Sequence, residues 1–172
     1  IDQIIINERI ESPADILELL DTRLKQAVKN DEDEVKDGMD ITICVIDMHL
    51  KEVCYAGANN SLYATNEEQK VEEKYVTHVS IGGMIQEEKK HFEAKRFTFR
   101  PGQRIYLSSD GYYSQFGGER GKKFMKSGFE KTLDDLQVLP MEKHKSILLS
   151  TFAAWKGTNE QVDDVLVIGI EL

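Results

Sequence analysis

The chain has 172 residues, 40% of them hydrophobic, which is enough to bury one core, so we expect a single domain spanning residues 1–172. The net charge of −9 excludes nucleic acid as a partner class, because binding a phosphate backbone needs a concentrated basic surface. No apolar run reaches the roughly 20 residues of a membrane span, and the first residues lack the layout of a signal peptide. We therefore expect no membrane contact and no targeting segment.

The first forty residues predict two helices and a loop. Apolar residues recur at helical spacing over residues 1–9 and 14–29, with Ser12 as the N-cap and Pro13 at the first helical position. Residues 30–37 contain five carboxylates and predict a solvated acidic loop.

From Met39 onward the apolar period changes to two, which is typical of antiparallel strands. The predicted strands and turns are a hairpin of residues 41–45 and 53–55, a turn at 57–60, a strand at 62–64, strand and loop at 71–80, a turn at 81–83, and strands at 90–99 and 104–109 around a turn at 100–103. Helices at 129–139 and 141–155 and a strand at 165–172, apolar enough to be central, follow. This order predicts an α+β layered domain.

The two cysteines, Cys44 and Cys54, both lie in alternating apolar stretches. We interpret them as small buried side chains and expect a reducing, cytoplasmic location.

Two acidic motifs lie next to predicted strands. Asp110-Gly111 follows the strand at 104–109, and Asp163-Asp164 precedes the last strand. These aspartates could simply accept backbone hydrogen bonds in turns. They could also share a divalent cation, since Mg²⁺ and Mn²⁺ prefer carboxylate oxygens, and two such ions about 3.5–4 Å apart can activate a water for attack on a phosphoryl group.

Other hydrolytic or nucleotide sites have less support. The four histidines, His49, His78, His91 and His144, show no zinc-ligand spacing. The chain also has no glycine-rich phosphate loop with a lysine and no nucleophile elbow. Zinc hydrolase and nucleotide kinase interpretations are therefore excluded.

At the two acidic motifs, Asp110-Gly111 and Asp163-Asp164, the sequence resembles the stage II sporulation protein E (SpoIIE) type of bacterial serine phosphatase, a branch of the metal-dependent class 2C protein phosphatases. The motifs that carry the resemblance, in chain order, are Asp37-Gly38-Met39-Asp40, Ala56-Gly57-Ala58-Asn59-Asn60, Ser108-Ser109-Asp110-Gly111, Gln115-Phe116-Gly117-Gly118 and Gln161-Val162-Asp163-Asp164. The resemblance covers essentially the whole chain.

The resemblance implies a class 2C phosphatase-like α-β-β-α sandwich that hydrolyses phosphoserine or phosphothreonine through a metal-activated water. It assigns Asp110 and Asp163 to the metal-binding catalytic site, with lesser roles for Asp164 and Gly111, and Mg²⁺ or Mn²⁺ as the cofactor. The implied partner is a phosphoprotein such as an anti-sigma-factor antagonist, a homodimer is allowed, and related domains are often attached to sensory or membrane regions.

One family motif has no counterpart in the expected place. The resemblance implies an earlier Asp-Gly motif whose aspartate bridges both metals, and Asp37-Gly38 lies in the acidic loop instead. We therefore interpret the chain as the N-terminally truncated, larger part of the domain, and expect an empty or weak metal site and impaired activity.

Two further hypotheses remain open. Lys122 and Lys123, after the Gln115-Phe116-Gly117-Gly118 motif, could bind the phosphorylated substrate, or they could be solvated residues of a glycine turn. The domain could also be a non-catalytic phosphatase-like module that binds a regulatory partner.

Overall fold

The computed structural model describes residues 10–28, 38–83 and 89–172. The predicted helix over residues 1–9 and the predicted acidic loop at 30–37 lie outside the described residues. Two compact units are distinguished, the first comprising Ile1–Leu62 with Tyr75–Phe99, and the second Tyr63–Lys74 with Arg100–Leu172. The single phosphatase domain stays a prediction.

In the described residues one helix precedes a run of eight strands, and three further helices and three further strands follow. The described helices are α1 (Pro13–Val28), α2 (Gly111–Ser114), α3 (Lys126–Leu136) and α4 (Met141–Lys156). The described strands are β1 (Gly38–Met39), β2 (Ile41–Asp47), β3 (Glu52–Ala58), β4 (Leu62–Thr65), β5 (Val71–Lys74), β6 (Ile81–Gly82), β7 (Lys95–Thr98), β8 (Arg104–Ser108), β9 (Phe116–Gly117), β10 (Lys122–Lys123) and β11 (Val167–Glu171). None of the helices within these residues has the length and apolar character of a membrane span.

The first unit packs α1 on a three-stranded antiparallel sheet of order β2-β3-β7. The helix begins as predicted, because the Ser12 hydroxyl accepts a hydrogen bond from the Asp15 amide at 3.5 Å and its carbonyl accepts one from Ile16. Its apolar face, including the fully buried Leu17, packs against Ala56 of β3.

The predicted hairpin is confirmed, with β2 and β3 paired in register from Ile41 opposite Ala58 to Asp47 opposite Glu52. The Asp47 carboxylate closes the turn by accepting the Leu50 and His49 amides at 2.8 Å, and these bonds lower its pKa. Cys54 is buried in this sheet, and burial raises the pKa of the partly buried Cys44 to about 11.

Three predicted boundaries in the first unit are wrong. The strand β3 runs through Ala58, so the predicted turn at 57–60 begins only after it. Residues 81–82 form a strand instead of a turn, with Ile81 opposite Met39 and Gly82 opposite Gly38 of β1. The predicted strand at 90–99 is confined to β7, the part that pairs with β3.

The second unit is a four-stranded sheet of order β11-β8-β4-β5 with α3 and α4 packed on it. Aromatic side chains dominate this core, and the ring of Phe129 contacts those of Tyr63 and Tyr112 at centroid distances of 5.3 and 5.0 Å. The two predicted helices are confirmed, although α3 begins and ends three residues earlier than predicted.

The last strand differs from its prediction. Among the described residues β11 is at the edge of the sheet, paired only with β8, and Ile168 is 43% exposed. A continuous apolar run predicts burial on both faces. The residues of Val167–Glu171 do not by themselves predict whether the strand is central or at an edge, because apolar β-forming residues occur in both kinds of strand.

A buried polar network joins β8 to the helices that flank it. Arg104 is 8% exposed and donates to the Glu171 carboxylate at 2.9 Å, and to the carbonyl of Gln137 at 3.3 Å. The Gln137 amide donates to the Tyr106 hydroxyl at 3.0 Å, and that hydroxyl lies 3.1 Å from Nδ1 of His144. These bonds connect β8 to the residue that follows α3 and to the first turn of α4.

Candidate metal centre

Asp110 lies at the junction between β8 and the short helix α2. Its carboxylate is exposed to solvent, and its backbone carbonyl accepts the Ser114 amide at 2.9 Å, so it is the N-cap of the helix. This helix is absent from the sequence prediction, since four residues are too few to show a period.

A buried tyrosine holds α2 in place. The ring of Tyr112 is 2% exposed, and its hydroxyl donates to the carbonyl of Leu148 in α4 at 2.9 Å. Burial raises the pKa of Tyr112 to about 12, so the hydroxyl keeps its proton and remains a donor. The position of Asp110 is therefore set by the aromatic core.

Asp163 lies in the segment that precedes β11, and a serine next to Asp110 holds this segment. The Ser109 hydroxyl donates to the Asp164 carbonyl at 2.8 Å and accepts the Leu166 amide at 2.9 Å. The Ser109 amide donates to the Leu166 carbonyl at 2.9 Å. The structure thus brings together the two acidic motifs, which are more than fifty residues apart in sequence.

Gly111 allows the closest approach of the two segments. A Cβ atom added at this position would lie 2.9 Å from the carbonyl carbon of Asp164 and 3.3 Å from that of Asp163, and nearer still to the Asp164 carbonyl oxygen. Side chains do not tolerate such distances to backbone. Glycine is required here by the packing of one backbone segment on another.

The donor set fits a hard divalent cation. Asp110, Asp163 and Asp164 are all exposed, and carboxylate oxygens with solvent are the ligands that Mg²⁺ and Mn²⁺ prefer. One Asp163 oxygen, Oδ1, accepts the Asp164 amide at 2.7 Å, which orients that carboxylate. In the part of the chain that the structure describes, no three histidine, cysteine or carboxylate side chains form a metal-binding group.

The predicted substrate-binding lysines lie on a small hairpin that follows α2. Lys122 and Lys123 of β10 pair with Gly117 and Phe116 of β9, and both lysines are exposed. The Lys123 ammonium lies 5.6 Å from the centre of the Phe116 ring. The structure therefore places this basic hairpin, residues 116–123, directly after the helix that Asp110 caps.

One tryptophan attaches the basic hairpin to α4. The Trp155 carbonyl accepts the Gly118 amide at 2.9 Å, and the Trp155 ring packs edge-on against Phe124 with centroids 5.2 Å apart. Trp155 is partly buried, and its contacts are with the hairpin and its flanking residue.

Sequence reasoning missed the roles of Ser109 and Gln115, although both lie in motifs that carry the family resemblance. Gln115 is fully buried and its side chain bonds the segment that carries Asp163.

A separate apolar cavity of about 670 Å³ lies between α4 and β11, with His144 and Leu148 in its wall. Asp110 and Asp163 do not line it.

Comparison with known proteins agrees with this architecture. The family model described as stage II sporulation protein E (SpoIIE) matches residues 3–172. Comparison with curated protein sequences gives no match. Among solved structures, the SiaA-PP2C domain of Pseudomonas aeruginosa is similar with a TM-score of 0.86 and 26% identity, over 99% of this chain and 65% of that chain.

Two further structures share the fold at lower identity. The phosphatase domain of the cell fate determinant SpoIIE from Bacillus subtilis, presoaked with Mn, has a TM-score of 0.59 and 14% identity over 92% of this chain and 70% of that chain. The RsbU and RsbW domains of Rv1364c from Mycobacterium tuberculosis give 0.72 and 15% over 98% of this chain and 44% of that one. The predicted α+β fold of the class 2C phosphatases is confirmed, and the chain spans 65% of the length of the SiaA domain.

Proposed function

The chain belongs to the SpoIIE family, and from this premise we propose that it is a metal-dependent protein serine/threonine phosphatase acting on a signalling phosphoprotein. The class 2C fold supports a domain of the phosphatase family. The observation that carries the proposal is the contact of Ser109 and Gly111 with the Asp163-Asp164 backbone, because it places Asp110 and Asp163 on neighbouring segments.

In this proposal Asp110 and Asp163 hold Mg²⁺ or Mn²⁺. Asp164 and Gly111 assist, Asp164 through its exposed carboxylate and Gly111 through the close backbone approach that it permits. When bound, divalent ions of this type lower the pKa of a coordinated water and offset charge on a phosphoryl group. The residues of this chain hold and orient the donors, and Asp163 is fixed by its bond from the Asp164 amide.

The basic hairpin would bind the substrate. Lys122 and Lys123 are exposed, whereas the neighbouring Lys126 is paired with Glu73 at 2.8 Å. Two such ammonium groups would attract a phosphorylated segment of a protein more strongly than a small aryl phosphate, because the protein offers charge beyond the phosphate. An anti-sigma-factor antagonist fits this class of substrate.

The first test of the proposal is release of inorganic phosphate from a phosphoserine peptide and from p-nitrophenyl phosphate. The complete gene product and the 172-residue chain are compared during Mn²⁺ and Mg²⁺ titrations. The comparison is needed because the resemblance implies a third metal-binding carboxylate, from an Asp-Gly motif that has no counterpart in the expected place of this chain. We expect hydrolysis by the complete product that EDTA abolishes and added Mn²⁺ restores. Absence of metal-dependent release from both substrates would reject the phosphatase and favour a partner-binding module.

A second test concerns the two lysines. The double variant Lys122→Ala/Lys123→Ala should raise KM for the phosphopeptide about 5-fold, because each exposed charge contact contributes up to about 1 kcal/mol. The kcat for p-nitrophenyl phosphate should not change. The control, Lys131→Ala/Lys143→Ala, removes the same charge from exposed positions of α3 and α4. Equal KM shifts in the two variants would mean that only net charge matters and would reject a binding role.

A further inference from the structure

The structure points to a role for Gln115, a buried amide between the helix that Asp110 caps and the segment that carries Asp163. It immediately follows α2, and it is fully buried at 0% exposure. A buried polar side chain destabilises a fold unless its atoms are hydrogen-bonded, so its partners show what it contributes.

The side chain of Gln115 bonds two backbone groups that lie just before Asp163. Its Nε2 donates to the Glu160 carbonyl at 2.9 Å, and its Oε1 accepts the Val162 amide at 3.3 Å. A primary amide carries a donor and an acceptor on one planar group. It can therefore bond the Glu160 carbonyl and the Val162 amide at the same time, as the backbone of a neighbouring strand would. Asp163 is the next residue after this pair of bonds.

The backbone of Gln115 is bonded to the end of the basic hairpin and to α4. Its carbonyl accepts the Phe124 amide at 2.9 Å and the Trp155 indole Nε1 at 3.0 Å. Phe124 directly follows β10, and Trp155 also holds Gly118. One residue is thus bonded to the segment before Asp163, to the end of the hairpin and to α4.

We propose that Gln115 is a positioning residue that sets Asp163 relative to Asp110 and couples this geometry to the basic hairpin. This proposal rests on the proposed function, since it assigns a role within the same metal centre. An apolar side chain of equal size would fill the space but would leave the Glu160 carbonyl and the Val162 amide unpaired. The Asp163 segment would then lose two of the bonds that restrain it.

The test compares two glutamine-to-methionine variants of the complete gene product. Gln115→Met removes both bonds to the segment of residues 160–162. The matched control, Gln137→Met, removes bonds from Gln137 to the Tyr106 hydroxyl and the Leu133 carbonyl, which do not involve either acidic motif. Both variants are expected to lower Tm, which removes stability as the distinguishing factor.

Three readouts are expected to separate the variants. Only Gln115→Met should raise the Mn²⁺ concentration for half-maximal activity about 10-fold, as loss of a group that orients a metal ligand does. Calorimetric Mn²⁺ affinity should fall by a similar factor. Hydrogen exchange of the Val162 amide should accelerate in Gln115→Met alone.

The outcomes distinguish the two proposals. Unchanged Mn²⁺ dependence in Gln115→Met, or an equal change in Gln137→Met, would overturn the positioning role while leaving the phosphatase intact. A wild-type protein that hydrolyses neither substrate but binds Mn²⁺ in a Gln115-dependent manner would reject the phosphatase and keep the positioning role.

Discussion

Asp110→Asn and Asp163→Asn are each expected to lower Mn²⁺-dependent kcat of the complete gene product by about 10³-fold, equivalent to roughly 4 kcal/mol. Asparagine keeps the size of the side chain but removes the negative charge with which the carboxylate attracts a divalent ion. Since both carboxylates are exposed, the substitutions should change Tm by no more than about 2 °C. Phosphate release and thermal unfolding measure the two quantities separately.

Two control variants make the result specific. Asp135→Asn changes an exposed aspartate of α3 and should leave kcat within about 2-fold of wild type. Asp164→Asn should reduce kcat by less than about 10-fold, because its proposed role is auxiliary. An aspartate whose asparagine variant kept more than a third of the wild-type rate could not be an essential metal ligand.

Gly111→Ala is expected to damage the metal centre through its backbone. The added Cβ would lie within 3 Å of the Asp164 carbonyl carbon, so one of the two segments must move. Such overpacking costs about 1–3 kcal/mol in free energy of unfolding. A displacement of about 1 Å at Asp163 would lower kcat by about 10²-fold. Urea unfolding and phosphate release measure the two effects.

The control for this substitution is Gly102→Ala, at the opposite end of β8. Gly102 has a φ of +88° and no atom within 4 Å of an added Cβ, so alanine there meets strain but no steric clash. We expect a loss of about 1–2 kcal/mol of stability and unchanged kcat. If both variants lost activity in proportion to stability, Gly111 would have no special relation to the site.

Local patterns predicted the elements whose partners lie nearby in sequence. The hairpin of β2 and β3 could be predicted because alternation specifies both strands and a short turn joins them. The edge position of β11 could not be predicted, since it depends on which strands surround it and its apolar residues fit either place. The helix α2 is specified by tertiary contacts such as the Tyr112 hydroxyl bond to Leu148, which no short-range pattern shows.

The sequence predicts the acidic residues of the candidate site but not the residues that hold them in place. Asp110 and Asp163 stand next to recognisable strands, and their motifs resemble those of a known family. Ser109 and Gln115 are ordinary polar residues in sequence. Their importance follows from bonds to Asp164, Glu160 and Val162, which are at least 45 residues away.

The register of β8 against β11 constrains which length changes the protein can accept during evolution. Ser108 is paired with Val167, and only three residues separate Val167 from Asp163. Inserting or deleting one residue in that interval would displace the carboxylate or turn every side chain of the strand to the opposite face. Related genes should therefore keep the spacing from Asp163 to Val167 constant.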